Sequence, residues 1–443
     1  MHLKKCLNTL LSSNGDIIIM GKIVLLSERL PYPPTSGTKN LLYNYCKILH
    51  ESLGMEVVNI SFLEQDEDNC KKPDFIARIY ELPNPSGITK LKNIILKTFI
   101  EKQYPLQVSL FWDSEIKKKI ETIIEKEQPD YVISDFIRTT EYLKDYKGFK
   151  IADLQDLLSL RYERQLKVNL NTINPYGAYL FRLPKIFQKM LQFSFVKRYV
   201  LRMEISLIKD FEINVGKCYD RVMFVARSEA ERFDQMLGEK KSLIAPLGVD
   251  YNFFSQDLNL QKKEKSIAFM GALNVAHNEN GITHFIEKCM PGVLECVPEA
   301  KLYIIGGGAS EKLKKYASEH IVFTGRVPDV RVAVGECEAF ICPLQFGSGI
   351  KTKNLEAMAM GVPVVTTPIG AENIEASDDE DWLIGDTDQM FIKQIVRLLS
   401  NNELRDQIGR NGQDFVKKHF TWELATNAFA EVFANEQTIK STN

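Results

Sequence analysis

Pro343-Leu-Gln-Phe-Gly-Ser-Gly-Ile-Lys-Thr-Lys-Asn-Leu-Glu-Ala-Met-Ala-Met-Gly-Val-Pro-Val-Val-Thr-Thr-Pro-Ile-Gly-Ala-Glu372 is the stretch from which the rest of the chain can be read. It follows an apolar strand, Ala339–Cys342, and passes through a loop holding Gly347 and Gly349. The pattern predicts a short helix entered at about Thr352 and left at Gly361, then a second buried strand, Pro363 to Thr366. Glycines just before a helix N-terminus let free backbone N–H groups approach an anion, and the helix dipole favours negative charge there. Lys351 and Lys353 add two cations beside that turn. Glu356, one turn into the helix, is placed to accept hydrogen bonds from paired hydroxyls such as those of a ribose. One loop offers phosphate, charge and hydroxyl recognition together, which describes a nucleoside-diphosphate site.

The same alternation of apolar strands and amphipathic helices extends in both directions. In the first half, strands are expected at Ile18–Leu26, Glu56–Phe62, Tyr131–Ser134, Lys150–Asp153 and Arg221–Val225, with helices at Asn40–Leu53, Ser114–Glu127 and Ser228–Leu237. A fresh series opens at Ser266–Met270 and continues with Lys301–Ile305, Ile321–Thr324, Ala339–Cys342 and Val362–Thr366. Such alternation argues for α/β architecture with parallel sheets. The turn-rich Pro246–Phe254 and the polar run behind it mark a boundary between two doubly wound halves. Ligands of open α/β sheets bind at the carboxyl ends of the strands, so a cleft between the halves is the expected site. The division read from the sequence is 1–15 as an N-terminal extension, 16–247 as an acceptor-side Rossmann-like domain, 248–420 as a donor-binding domain, and 421–443 as a helix returning to the first domain.

Composition excludes several function classes. At 443 residues the chain suits two domains, and 44% hydrophobic with 26% charged residues fits a globular protein. A net charge of −2 excludes a whole-molecule electrostatic nucleic-acid binder. The eight cysteines form no CxxC pair and have no histidine at ligand spacing. Neither a metal site nor a disulfide framework is therefore expected, and the thiols read as reduced, in a cytoplasmic protein. No eighteen-residue apolar run predicts a membrane span. One segment stands apart: Arg164 to Met203 holds eight cations and no acid, interleaved with aromatics. It reads either as a surface for anionic lipid, making the protein peripheral at the inner face of the plasma membrane, or as a helical excursion with a solvated basic face.

Six segments in order resemble the retaining, GT-B-fold glycosyltransferases of family four (glycosyl transferases group one). They are Ile244–Asp250, Phe269–Leu273, Leu302–Gly308, Val322–Asp329, Cys342–Gly361 and Pro363–Glu372. In detail the chain is most similar to sugar transferases associated with exopolysaccharide and PEP-CTERM systems, which also carry the Pro31-Tyr-Pro-Pro-Thr-Ser-Gly37 loop. The resemblance implies two Rossmann-like domains facing a cleft, and transfer from a UDP- or GDP-linked sugar to a hydroxyl of a glycan or lipid-linked acceptor. It also implies retention of configuration, with no metal and no cofactor beyond the donor substrate. On the donor side it points to Gly271, Ala272, Val327, Gly347, Ser348, Gly349, Ile350, Lys351, Lys353, Asn354 and Glu356. Gly37, opening a helix after three prolines, reads as a place where the first domain's backbone approaches the diphosphate.

Two departures bear on chemistry. The family's Glu-x7-Glu begins here with Ser348 and keeps only Glu356, and the basic pair many members place after the first strand of the second domain is missing, since Gly271–Asn278 holds no Arg or Lys. Lys351 and Lys353 are the cations left to meet the charge that develops on the leaving diphosphate. The histidine that many members place after a first-domain strand corresponds here to Gln155, with Asp156 beside it as a candidate base and Asp153 and Asp135 holding similar claims. Gly306–Gly308 read either as a tight turn or as donor contacts, and His277 and His284 as surface or core residues. Two further functions fit the same fold: a nucleotide-sugar epimerase, and a non-catalytic nucleotide-sugar-binding partner of another transferase.

Overall fold

The computed structural model describes residues 19, 21–34, 37–63, 71–167, 194–347 and 349–442. The predicted extension 1–15, Ser348 and most of the basic segment 164–203 lie outside the described residues. The chain divides into two compact units, Met1–Pro246 with Glu423–Asn443, and Leu247–Trp422.

The first unit is built on a seven-stranded sheet of order β3-β2-β1-β4-β5-β6-β7. Its strands are β1 Lys22–Ser27, β2 Glu56–Phe62, β3 Arg78–Leu82, β4 Tyr131–Asp135, β5 Phe149–Gln155, β6 Arg221–Phe224 and β7 Ser242–Ile244. All pairings are parallel. Central strands of such a sheet are buried on both faces and read as apolar runs, which is why β1, β2 and β4 are legible in sequence. The edge strand β3, Arg-Ile-Tyr-Glu-Leu, is not: its charged Arg78 and Glu81 are exposed, and Arg78 pairs with Glu127 at 2.8 Å. The helix Ser114–Glu127 starts where expected, because the Asp113 carboxylate accepts from the amides of Glu115 and Ile116. It stops at Gln128, in the left-handed conformation. The terminal helix, Trp422–Thr442, packs in this unit, with Phe429 edge-on to Tyr45 at 5.0 Å and Phe433 against Tyr131 at 4.6 Å.

The second unit carries a six-stranded parallel sheet of order β10-β9-β8-β11-β12-β13. Here β8 is Ser266–Met270, β9 Lys301–Ile305, β10 Ile321–Gly325, β11 Ala339–Cys342, β12 Val364–Thr366 and β13 Leu383–Ile384. One apolar cluster covers each face: Phe269, Phe285, Leu302 and Leu398 on one side, Phe340, Leu355, Met358 and Trp382 on the other. Both sheets reverse strand order once, between β1 and β4 and between β8 and β11. Such a reversal opens a crevice at the carboxyl ends of the two strands beside it.

Candidate functional site

The loop read first in the sequence leaves β11 at the reversal of the second sheet. Gly347 (φ 141°) and Gly349 (φ 73°) both take left-handed conformations, which a side chain would strain. They turn the backbone into the helix Thr352–Ala359. Lys351 is its N-cap and makes no side-chain cap, and the amides of Thr352 and Lys353 have no acceptor among the described residues. Two donors at the positive end of a helix dipole thus stay open to an anion. The Lys351 side chain is buried and folds back over the loop, its Nζ donating to the Gly349 carbonyl at 2.6 Å.

Lys353 reaches across the reversal. Its Nζ donates to Asn278 Oδ1 at 2.5 Å and lies 4.8 Å from the centroid of the Phe269 ring. Asn278 belongs to the helix Ala276–His284 that follows β8, and its amide donates to the Ala272 carbonyl. A Cβ at Gly271 would lie 2.9 Å from Asn278 Nδ2 and 3.0 Å from Lys353 Nζ, so a side chain there would press on both ends of this hydrogen bond. Burial pushes Lys353 below the usual lysine range. Burial, with Lys353 and Lys351 close by, brings His277 down to about 4, so its imidazole is neutral at physiological pH. His277, read from the sequence as a surface or core residue, therefore feels the charge of both lysines.

Glu356 is half-buried, and burial raises its carboxyl to about 7 against the opposing pull of Lys353. Its carbonyl accepts from Met360 N–H, but its carboxylate has no hydrogen-bond partner among the described residues, as expected of a carboxylate kept for a ligand. Asn354 has a supporting role instead: fully buried, it donates to Thr366 Oγ1 and the Gly370 carbonyl and ties the helix to β12. Ile350 and Val327 pack on the apolar cluster beneath the loop, and Ala272 is exposed. Next along the sheet, Gly306 (φ 140°) is required by contact, since a Cβ would fall 2.0 Å from the Gly271 carbonyl. Gly307 lies against the side chain of exposed Arg326, a cation at the end of β10 that the sequence reading passed over.

One strand beyond the reversal of the first sheet, at the end of β5, Gln155 takes a left-handed φ of 62° at a register shift between β5 and β6, and its amide donates to Asp135 Oδ1 on β4 at 2.7 Å. Asp135 and Asp153 are register partners on β4 and β5 and are both buried. Burial, with Glu28 nearby, raises Asp135 to about 7, and burial next to Asp135 raises Asp153 as well. Asp156 is ion-paired to Arg161, so its charge is already engaged. The geometry favours a positioned Gln155 amide over a free Asp156 base. Gly37 opens the helix Gly37–Lys47, and a Cβ there would meet nothing within 4 Å, so packing does not demand the glycine.

The six described cysteines are free. Against the sequence expectation of no metal-ligand grouping, His284 Nε2, Cys289 Sγ and an Asp388 carboxylate oxygen lie within 4.8 Å of one another. The cause is the π-helical turn Phe285–Cys289, which brings residues five apart toward one face.

Residues 264–401 match the glycosyl transferases group 1 family. The chain is a glycosyltransferase. Over 432 residues it is 24% identical to an uncharacterized 44.6 kDa protein in the cps region of Klebsiella pneumoniae, covering 94% of this chain and 99% of that one. It is 28% identical over 176 residues to the phosphatidyl-myo-inositol mannosyltransferase of Mycobacterium leprae, covering 38% of this chain and 46% of that protein. Among solved structures it resembles Anabaena HepE in complex with UDP, with a TM-score of 0.61 at 13% identity over 94% of this chain and 100% of that one. At that identity the likeness concerns the fold alone, which is GT-B. Among the described residues no helix is long and apolar enough to cross a membrane.

Proposed function

We propose that this glycosyltransferase moves a sugar from a UDP- or GDP-linked donor to a hydroxyl of a glycan or lipid-linked acceptor in polysaccharide or glycoconjugate assembly, with retention of configuration. The observation that carries the reading is the helix start at Thr352, where uncapped amides are flanked by Lys351, folded over the loop, and Lys353, held by Asn278. As the glycosidic bond breaks, the diphosphate gains negative charge, and donors already in place meet it without reorganising. Glu356 takes the ribose hydroxyls, an interaction equal in ground and transition states. A donor phosphate oxygen receives the acceptor proton on the same face of the sugar, so no protein carboxylate need act as base and no metal is required. Gln155, fixed by Asp135, orients the acceptor side.

The relatives named above support the setting: one is encoded in a capsule region, and another is named for mannosyl transfer to a phosphatidylinositol. The direct test incubates the protein with UDP- and GDP-sugars, with and without lipid extract or oligosaccharide acceptors. Transfer appears as acceptor-dependent release of nucleoside diphosphate with a product of unchanged anomeric configuration. A sugar altered with donor alone would make the chain an epimerase. Donor binding with no turnover on any acceptor would make it a binding partner of another transferase.

A further inference from the structure

Eleven large apolar side chains are exposed among the described residues, and five of them fall between 88 and 100. They are Ile88 (83% exposed), Leu91, Ile95, Phe99 and Ile100 (66%). This stretch is the helix Gly87–Asn93 and its π-helical continuation Ile94–Ile100. Positions 88, 91, 95 and 99 recur at helical spacing, so the exposed residues form one stripe. The buried face is polar. Asn93 donates to the carbonyls of Ser109 (3.1 Å) and Trp112 (2.7 Å), and Thr98 Oγ1 meets Ser109 Oγ at 2.7 Å. Hydrogen bonds therefore pin the helix with its apolar side outward, an inversion of the usual pattern.

Such a stripe needs an occupant, and its flanks say which. Lys90, Lys92, Lys97 and Lys102 accompany it with a single acid, Glu101, which pairs with Lys97 at 2.7 Å. Lys92 and Lys102 are exposed. A second copy docked by two-fold symmetry would bring Lys92 and Lys102 up against cations of the same stripe, and an apolar protein groove would offer these two no counter-charge. A bilayer with anionic headgroups satisfies both features, taking isoleucine and phenylalanine below the headgroups and the ammonium groups among the phosphates. We infer that the helix 87–100 is a membrane-docking surface that seats the enzyme on an anionic leaflet. For its purpose, access to a lipid-linked acceptor, the inference rests on the transfer reading above; its physics does not.

Flotation of the full-length protein with phosphatidylglycerol/phosphatidylcholine vesicles, against pure phosphatidylcholine, tests this. The expected result is binding to the anionic vesicles that weakens as salt rises. The variant Ile88→Gln/Leu91→Gln/Ile95→Gln should lose at least about tenfold in partitioning, and Lys92→Gln/Lys102→Gln should lose affinity for anionic vesicles only. Ile88, Leu91 and Ile95 are 83%, 45% and 47% exposed and both lysines are exposed, so melting temperature and nucleoside-diphosphate affinity should hold in both variants. The variant Lys189→Gln/Lys197→Gln/Arg198→Gln/Arg202→Gln, in the basic segment, should keep binding. No wild-type preference for anionic vesicles, wild-type partitioning of the triple variant, or loss of binding only in the 189–202 variant would overturn the inference. So would a dimer that the triple variant converts to monomer. If vesicle binding behaves as expected while no acceptor is ever glycosylated, the transfer reading fails and the docking surface stands.

Discussion

Lys353 Nζ donates to Asn278 Oδ1 at 2.5 Å and so joins the helix after β11 to the helix after β8 across the reversal of strand order. The bond fixes an otherwise flexible lysine at the mouth of the crevice, where a diphosphate meets it without loss of side-chain freedom. Asn278→Ala should therefore act through Lys353. Leaving a buried ammonium without its acceptor costs about 1–3 kcal/mol. A fall in melting temperature together with weaker diphosphate binding is the expected pair; Asn278→Asp, which keeps an acceptor for Lys353 but sets a carboxylate beside the diphosphate, should recover more of the stability than of the binding. An Asn278→Ala protein with wild-type affinity would leave the contact a packing detail.

Lys351→Ala should slow transfer far more than it perturbs folding, because its charge is needed most when the leaving group is most negative. Loss of one such stabiliser costs roughly 100- to 1,000-fold in rate. The check is kcat/KM with the purified variant beside its melting curve; near-normal turnover would remove this lysine from the chemistry.

Glu356 makes a pH prediction. Its carboxyl is raised from 4.5 to about 7, chiefly by burial, so the folded protein holds a proton that the unfolded chain releases. Its contribution to stability is full below pH 4.5 and lost as pH rises through about 7. Stability should thus decline over that window, and Glu356→Gln should make the decline shallower, as read by melting temperature against pH. Nucleotide affinity runs the other way. Ribose hydroxyls bond better to the ionised form, so binding should weaken as pH falls below about 7, and the glutamine variant should lose that dependence.

His277 gives a reading that needs no turnover. It is held at about 4 by burial and by Lys353 and Lys351. A bound diphosphate offsets both cations, so the imidazole pKa should rise on addition of UDP or GDP, and it should already be higher in Lys353→Met. NMR titration of the histidine ring protons reports both shifts.

The sequence disclosed the parts of the fold whose physics is local. Buried parallel strands such as Lys301–Ile305 read as apolar runs, and the turn from Gly347 to Thr352 reads as glycine, cation, helix start. What it hid is set at a distance. Asn278 becomes visible only when folding brings it to Lys353, 75 positions away. The two-residue strand β13 is too short to carry a pattern. The helix 87–100 is not legible because Asn93 and Thr98 are the buried residues while Ile88, Ile95 and Ile100 are outside. Asp156 looked like a free base beside Gln155, and only the structure supplies Arg161 as its partner.

Calorimetry with UDP, GDP and the matching nucleosides, on wild type and Lys351→Ala, tests the central claim most directly. If the loop 343–351 and the helix start hold a diphosphate, at least one of the two diphosphates binds far more tightly than its nucleoside. The variant should then lose about tenfold or more in diphosphate affinity while nucleoside binding is unchanged. Equal affinity for nucleoside and diphosphate, or equal diphosphate affinity in the two proteins, would contradict it.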